Sequence, residues 1–346
     1  MAAVSRPTPH VQLDLDRLEA NIATLQQAAQ AAGLTLRPHA KTHKSLEIAR
    51  RQIAAGAVGL TVATVSEAEV FVDGGVDDLF IAYPLWVDAE RAERLRRLLQ
   101  KAELAVGVDS VDSARQLGSM AGPRPRVRVE IDSGHHRSGV PAHQAAAVAA
   151  AAVDAGLQVE GVFTFPGHSY SPDGRARAAA DEVRELAAAR DALLAAGIPA
   201  PVVSGGSTPS VGFADGAVLT EVRPGVYALG DAQQWELGTI TPDRVALTVL
   251  ATVVARHPDR VVVDAGSKVL GMDRAAWATG YGRLLDHPDA RITALSEHHG
   301  TITGFDAPPG TRVRVVPNHV CITVNLVDEY VVGTTTWPVD ARGANT

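Results

Sequence analysis

The sequence predicts an α/β protein made of a (β/α)8 TIM-type barrel joined to a mostly β C-terminal domain. Two observations carry this expectation. From about residue 30 to about residue 245, short apolar runs alternate with amphipathic runs rich in Ala, Leu and Arg. The strand-then-helix order recurs about eight times, which is the pattern of a parallel sheet, and eight units favour a closed barrel over an open sheet. Beyond about residue 245, segments are short and rich in Val and Thr, with few helical stretches between them, and this reads as a second, β-rich domain.

Taken in order, Val11–Leu15 is strand-like and precedes a first helix, Leu18–Ala32. Apolar runs place the barrel strands at Thr35–Lys41, Gly59–Ala63, Asp78–Ile81, Leu104–Val108, Arg126–Glu130, Gly161–Phe165, Val202–Ser204 and Glu221–Arg223. Amphipathic runs place helices at Ser45–Ala55, Ser66–Gly74, Asp88–Ala102, Ser110–Ala121, Ala142–Ala155 and Gly174–Ala196. The later strands are expected at Ala246–Arg256, Arg260–Ala265, Arg291–Leu295, Thr301–Gly304, Arg312–Val316, Cys321–Leu326 and Glu329–Gly333. The expected domains are therefore a barrel over 16–245 and a β-rich domain over 246–346, which the N-terminal strand of 1–15 could join. No internal repeat is visible.

Composition narrows the function. The chain has 346 residues, 46% hydrophobic, enough for a sizeable core. A net charge of −7 with no long basic run argues against nucleic acid as a partner. No apolar run reaches about 18 residues, so no membrane span is expected. The first residues, Met-Ala-Ala-Val-Ser-Arg-Pro, lack the apolar core of a signal peptide. The single cysteine, Cys321, excludes an intramolecular disulfide and fits a cytoplasmic protein.

The stretch Arg37-Pro-His-Ala-Lys-Thr-His-Lys44 is the most informative. Read as a strand, it sends Arg37, His39, Lys41 and His43 to one face. Such a face suits a pocket for an anionic cofactor. Crowding by other cations favours the unprotonated lysine that a Schiff base requires. The alternative is a basic, solvated edge strand. In a barrel, functional groups come from strand C-terminal ends, and Lys41, Thr64, Ser66, Arg137 and His168 all fall there. Gly205-Gly-Ser-Thr208 follows a strand, and its glycines and hydroxyls could cradle a phosphate, or form an ordinary turn. Arg137 could hold a phenolate or carboxylate oxygen, or be a surface loop arginine. On a strand, His319 and Cys321 share a face and could bind one metal, an imidazole–thiolate pair suited to zinc; the alternative is a buried cysteine beside an incidental histidine. His298 and His299 could contribute to that site or be exposed.

Together these motifs resemble the fold-type III pyridoxal-phosphate enzymes of the D-threonine aldolase and D-serine dehydratase family, which pair an alanine racemase-like barrel with a β domain. The likeness runs through nearly the whole chain. It is carried by Arg37–Lys44, Val65-Ser-Glu-Ala68, Ser204-Gly-Gly-Ser-Thr208, Asp264-Ala-Gly266, Ser296-Glu-His-His-Gly300 and Pro317-Asn-His-Val-Cys321. It implies that Lys41 carries pyridoxal 5'-phosphate, with His39 and Thr64 among the cofactor-side residues. Arg137 would face the phenolic oxygen. Gly206, Ser207 and Thr208 would form part of the phosphate cup, with Tyr227 nearby. His319 and Cys321 would hold a divalent metal, zinc first, manganese or magnesium as alternatives. It also implies a homodimer and a small D-amino acid substrate.

The resemblance leaves the reaction open between two outcomes. Family dehydratases carry His-x-Cys, as here, whereas the aldolases compared carry His-x-Asp; Gly167-His-Ser-Tyr170 is closer to the dehydratases, and Phe165-Pro166 departs from the aldolase pattern. That favours loss of water from a D-β-hydroxy-α-amino acid, with Lys41 removing the Cα proton. The aldolase alternative would use a base such as His168 to cleave Cα–Cβ. A racemase would need a tyrosine base, for which the β domain offers Tyr281 and Tyr330, and would leave His319 and Cys321 unexplained. A non-catalytic cofactor carrier would not need an extra domain of roughly 100 residues.

Overall fold

The computed structural model describes residues 6–346. They form two compact units. One comprises Ala23–Lys41, Ile48–Gly225 and Gly343–Thr346; the other comprises the chain up to Ile22, Thr42–Glu47 and Val226–Arg342. The second unit thus takes in a short insert around residue 45 and the segment from Val226, both of which the sequence reading assigned to the barrel.

In chain order, β1 (His10–Leu13) and α1 (Leu15–Ala31) come first. The alternating region follows: β2 (Thr35–Leu36), α2 (Leu46–Ala54), β3 (Leu60–Val62), α3 (Val65–Asp73), β4 (Asp78–Pro84), α4 (Ala89–Leu98), β5 (Glu103–Val108) and α5 (Val111–Gly118). It continues with β6 (Arg126–Glu130), α6 (Ala145–Asp154), β7 (Val159–Phe163), α7 (Arg175–Ala195), β8 (Val202–Gly205) and β9 (Glu221–Val222). Strands β2 to β9 form one parallel eight-stranded sheet. Its two ends meet: His39 bridges Thr61, Val58 N–H donates to Leu36 O at 3.0 Å, and Ala40 N–H donates to Thr61 O at 2.8 Å. The sheet therefore closes into the expected barrel. Residues such as Leu79, Phe80, Ile81, Val127 and Val129 are buried on both strand faces, as a helix-covered parallel sheet requires. Side-chain caps start the helices where the chain must turn: Thr64 for α3, Asp88 for α4, and a Ser110–Ser113 capping box for α5.

Near the N-terminal ends of the strands the barrel interior holds a chain of ion pairs. Arg37 bonds Glu221 at 2.7 Å and Asp78 at 2.9 Å; Arg128 bonds Glu221 at 2.6 Å and Glu160 at 2.9 Å. Burial would raise the Glu221 carboxyl, but Arg128 and Arg37 outweigh it and hold it at about 2.

In the other unit, β10 (Leu247–Arg256), β11 (Val261–Val263), β12 (Gly282–Leu284), β13 (Arg291–Leu295), β14 (Gly300–Thr303) and β15 (Arg312–Pro317) pair antiparallel in a closed ring. The ring closes because the long strand β10 shifts register between Val253 and Ala255 and serves β15 with one half and β11 with the other. β1 pairs with β10 as expected, and β16 (Glu329–Val332) and β17 (Thr335–Pro338) extend the sheet beyond it. Short helices α8 (Ala232–Glu236), α9 (Ser267–Leu270) and α10 (Val320–Leu326) complete the unit.

Two expected strands are corrected. Thr35–Lys41 is a strand only over Thr35–Leu36, with His39 as an isolated bridge, and Lys41 lies in a turn. Cys321–Leu326, rich in β-branched residues, is helix α10. Val320 N–H donates to Asp231 at 3.2 Å and Thr323 Oγ1 donates to Leu270 O at 3.0 Å, so tertiary bonds override local β propensity. Among the described residues, no helix is long and apolar enough to cross a membrane.

Candidate active site

Lys41 stands just past the C-terminal end of the first barrel strand, in the turn that follows His39. Its backbone N–H donates to His39 Nδ1 at 3.4 Å, which makes that nitrogen an acceptor. Lys41 Nζ lies 5.5 Å from the centre of the Phe165 ring, and the Arg137 guanidinium lies 5.2 Å from the same ring. A lysine and an arginine distant in sequence thus meet around one aromatic platform at the barrel's C-terminal end. The four-base face expected from the sequence does not form. Arg37 is buried in the interior ion-pair chain, and His43 is fully buried, with Nδ1 accepting from Ser45 N–H at 3.1 Å. Period-two alternation fails because the chain leaves the strand geometry before Lys41.

The segment after β8 brings a left-handed glycine and a cluster of buried hydroxyls together. Gly206 has φ +77, and a Cβ there would approach Val222 Cβ to 3.0 Å, so any side chain here would be strained and crowded. Ser207 Oγ lies 2.8 Å from both Ser169 Oγ and Ser210 Oγ, and Ser207, Thr208 and Ser210 are buried. Behind this cup, Gly206 N–H donates to Glu182 of α7 at 2.6 Å. Burial pushes the Glu182 carboxyl up to about 7, despite the Gly206 N–H and the Arg223 charge. Thr64, a cofactor-side candidate, is engaged within the fold. Its hydroxyl accepts from Glu67 N–H at 3.0 Å as the α3 cap and donates to Ala344 O at 2.8 Å. Tyr227 is buried in the turn Val226–Ala228.

Two loops line a small cavity with Glu130, His135, Arg137, Ser138, Thr164 and Phe165. Glu130 is buried; Ser138 Oγ donates to its Oε1 at 3.0 Å, and Oε2 has no partner among the described residues. Burial raises its carboxyl. His135 packs edge-on against Phe165 at 5.6 Å, and burial followed by the Arg137 charge lowers its pKa. His168 Nε2 lies 3.3 Å from Asp181 of α7, which anchors the ring to that helix, while its buried Nδ1 has no partner among the described residues.

In the β unit, His319 and Cys321 do come together, although not through a shared strand face. His319 is extended (φ −128°, ψ 105°) just before α10, and Cys321 lies in the helix's first turn. Their side chains are hydrogen-bonded to each other, and His319 Nδ1 also bonds Asp273. Burial would lower the imidazole, but the Cys321 sulfur and Asp273 outweigh it and raise it to about 11. Cys321 Sγ lies 3.4 Å from Thr42 Oγ1. An imidazole and a thiol in contact form a donor set suited to a borderline-soft divalent ion. Among the described residues no group of three or more His, Cys, Asp or Glu side chains has the geometry to hold a metal by itself. His298 and His299 are exposed, with His298 Nε2 3.5 Å from Lys268 Nζ. Tyr330, one of the two tyrosines a racemase could have used, is fully buried and donates its hydroxyl to His43 O.

The sequence reading passed over Glu130, Glu182, Asp231 and Asp273. Asp231 carried a local signal, since it caps α8 by accepting from Gln234 N–H at 2.8 Å. Asp273 carried none: it reaches His319 across 46 residues of chain.

Known proteins share this architecture. Residues 13–233 match the family profile of the alanine racemase N-terminal domain, and residues 246–333 match that of a serine dehydratase domain. The chain is 39% identical to the D-threo-3-hydroxyaspartate dehydratase of Delftia sp. (strain HT23), over 91% of each chain. It is 35% identical to the D-threonine aldolase of Arthrobacter sp., over 97% of this chain and 93% of the relative. The solved Delftia dehydratase structure superposes with a TM-score of 0.89, covering 96% of this chain and 97% of that one at 35% identity. A cysteine-to-alanine variant of a D-threo-3-hydroxyaspartate dehydratase has been solved in a metal-free form.

Proposed function

This chain belongs to the fold-type III pyridoxal-phosphate enzymes of the D-threonine aldolase and D-serine dehydratase family, and from that membership we propose that it is a metal-assisted lyase of small D-β-hydroxy-α-amino acids that dehydrates them to a 2-oxo acid and ammonia. The observation that carries the dehydratase reading is the contact between the His319 imidazole and the Cys321 thiol. A D-threo-3-hydroxyaspartate dehydratase solved in a metal-free form supports a metal cofactor in such enzymes.

When bound, pyridoxal phosphate supplies an electron sink for charge at the substrate Cα, and a divalent ion supplies a Lewis acid for the β-hydroxyl. Lys41 would hold the cofactor, and its free Nζ would be the base that takes the substrate Cα proton. Gly206, Ser207 and Thr208 would hold the phosphate and Arg137, which lies against Phe165, would meet the phenolic oxygen, while His39 orients the turn that bears Lys41. Tyr227 and Thr64 rest on family likeness alone. His319 and Cys321 hold the ion; zinc fits a nitrogen–sulfur pair better than manganese or magnesium, which prefer oxygen. We assign the working form as a homodimer in the cytoplasm, where a reducing environment preserves the Cys321 thiol. The retro-aldol alternative is supported by the similarity to the Arthrobacter aldolase, and His168, anchored by Asp181, is its candidate base.

The test is a product assay with added zinc or manganese on D-serine, D-threonine and D-threo-3-hydroxyaspartate, with 2-oxo acid, glycine and aldehyde quantified together. Oxo acid and ammonia, lost on chelation, are expected. Glycine with aldehyde would replace dehydration by aldol cleavage. Lys41→Ala is expected to lose both the visible absorbance of the bound cofactor and turnover; retention of either overturns the assignment of Lys41.

A further inference from the structure

We infer that Asp273 is the positioning residue of the metal site: its carboxylate fixes the ring orientation and tautomer of His319, so that Nε2 is the nitrogen presented beside the Cys321 sulfur. This rests on the reading of His319 and Cys321 as metal ligands. His319 Nδ1 is bonded to Asp273 Oδ2, and the same ring also bonds Cys321. An imidazole has two ring nitrogens, so engaging Nδ1 leaves Nε2 for the sulfur side. A histidine whose second nitrogen donates to a carboxylate is held in one tautomer and made a more basic ligand.

The contact is built into the unit. Asp273 lies in the loop that leaves α9, and three further contacts stitch this region to α10 and the residues before it. Gly271, at φ +73, lies so close to Ile322 that a Cβ would come within 2.5 Å of Ile322 Cγ2. Thr323 Oγ1 donates to Leu270 O at 3.0 Å, and Asn318 Nδ2 donates to Asp273 O at 2.9 Å. Both the main chain and the side chain of Asp273 are therefore tied to the residue pair 318–319. Because it uses the Nδ1 side of the ring, the carboxylate orients the ligand and is not itself a third donor, in keeping with the absence of a three-residue ligand cluster among the described residues.

The experiment strips the purified enzyme with a chelator and titrates zinc against a chromophoric competitor. Cobalt substitution then reports the sulfur-to-metal charge-transfer band, and the cofactor's visible absorbance serves as the check on folding. Asp273→Ala is expected to weaken zinc binding by roughly 10- to 100-fold, with one ion still bound and the sulfur band retained. Asp273→Asn, which keeps an acceptor for the Nδ1 proton, is expected to lose less. Cys321→Ala is expected to lose the band. Wild-type zinc affinity in Asp273→Ala overturns the inference alone, as does complete loss of the ion in that variant, which would make Asp273 a direct ligand. Failure of the wild-type enzyme to bind zinc, or unchanged binding in both His319→Ala and Cys321→Ala, overturns the metal reading beneath it as well.

Discussion

Glu221 and Glu182 are both almost completely buried in the barrel unit, yet they titrate in opposite directions. Glu221 sits among the interior ion pairs, bonded to Arg37 at 2.7 Å and Arg128 at 2.6 Å, with Ser204 Oγ donating at 2.5 Å, and is held at about 2. Glu182 sits behind the glycine cup, accepts Gly206 N–H at 2.6 Å, has no ion-pair partner among the described residues, and is pushed up to about 7. Burial pushes both carboxyls up; it prevails at Glu182, and at Glu221 the built-in counterions reverse it. The comparison separates two kinds of polar interior. The ion-pair layer is satisfied by the chain itself and reads as structure. At the glycine turn, Glu182 has only the Gly206 N–H as a bonded partner among the described residues, beside the Ser169–Ser207–Ser210 hydroxyl cluster, and no counterion reverses the effect of burial.

The largest effect expected from breaking this contrast is at Glu221. Removing one partner of a buried ion pair leaves the others uncompensated, so Glu221→Gln is expected to cost about 3–5 kcal/mol at neutral pH. The sign with pH follows from the lowered folded-state value. The stability that ionised Glu221 contributes is complete above its unfolded pKa, near 4.3, and is lost as pH falls toward about 2. Urea unfolding of wild type and variant should therefore show a gap that narrows as the pH drops below about 5. A gap independent of pH between 3 and 7 would mean that shape, not charge, is what Glu221 supplies.

Glu182 should behave in the opposite way. Its folded value lies above the unfolded one, so the unfolded chain ionises first and stability falls as pH rises from about 4.5 through about 7. Once Glu182 is ionised, the penalty is of order 3 kcal/mol. Glu182→Gln keeps an acceptor for Gly206 N–H and cannot ionise. It is expected to stabilise the protein at pH 8 by up to about 3 kcal/mol, and to be near neutral at pH 5. Thermal unfolding at the two pH values reads this directly. A variant less stable than wild type at pH 8 would show that Glu182 has a counterion after all.

The same distinction governs what the sequence could reveal. The barrel was legible because a parallel sheet covered by helices imposes a repeated local pattern, and Arg126–Glu130 was read to the residue. The positions of Lys41 and of residues 205–208 at strand ends were legible because the apolar runs before them mark where the strands stop. The face shared by Arg37 and His43 was misread because alternation was extended past Leu36 into a turn. Helix α10 was misread because Val320-Cys-Ile-Thr-Val324 has β propensity, and only bonds from Asp231 and Leu270 reveal that it coils. Glu182, Glu221 and Asp273 were out of reach for one reason: each is defined by a partner distant in sequence, and a lone acidic residue on a helix, strand or loop carries no mark of that partner.

The smallest expected effect sharpens the boundary between scaffold and cup. Gly206 and Gly197 have nearly the same left-handed backbone, φ +77 and +74, but differ in surroundings: a Cβ at Gly206 meets Val222 Cβ at 3.0 Å, and one at Gly197 meets nothing within 4 Å. Alanine at either position bears the backbone cost of about 1 kcal/mol. Only Gly206→Ala adds crowding against β9, and only it moves the backbone proposed to hold the phosphate. Gly197→Ala should therefore lose about 1 kcal/mol of stability and keep wild-type affinity for pyridoxal phosphate. Gly206→Ala should lose about 2 kcal/mol and weaken that affinity, read by quenching of intrinsic fluorescence during cofactor titration. Pyridoxal lacking the phosphate makes the control: if Gly206→Ala weakens both ligands equally, the defect lies in the fold of the mouth and not in an anion cup.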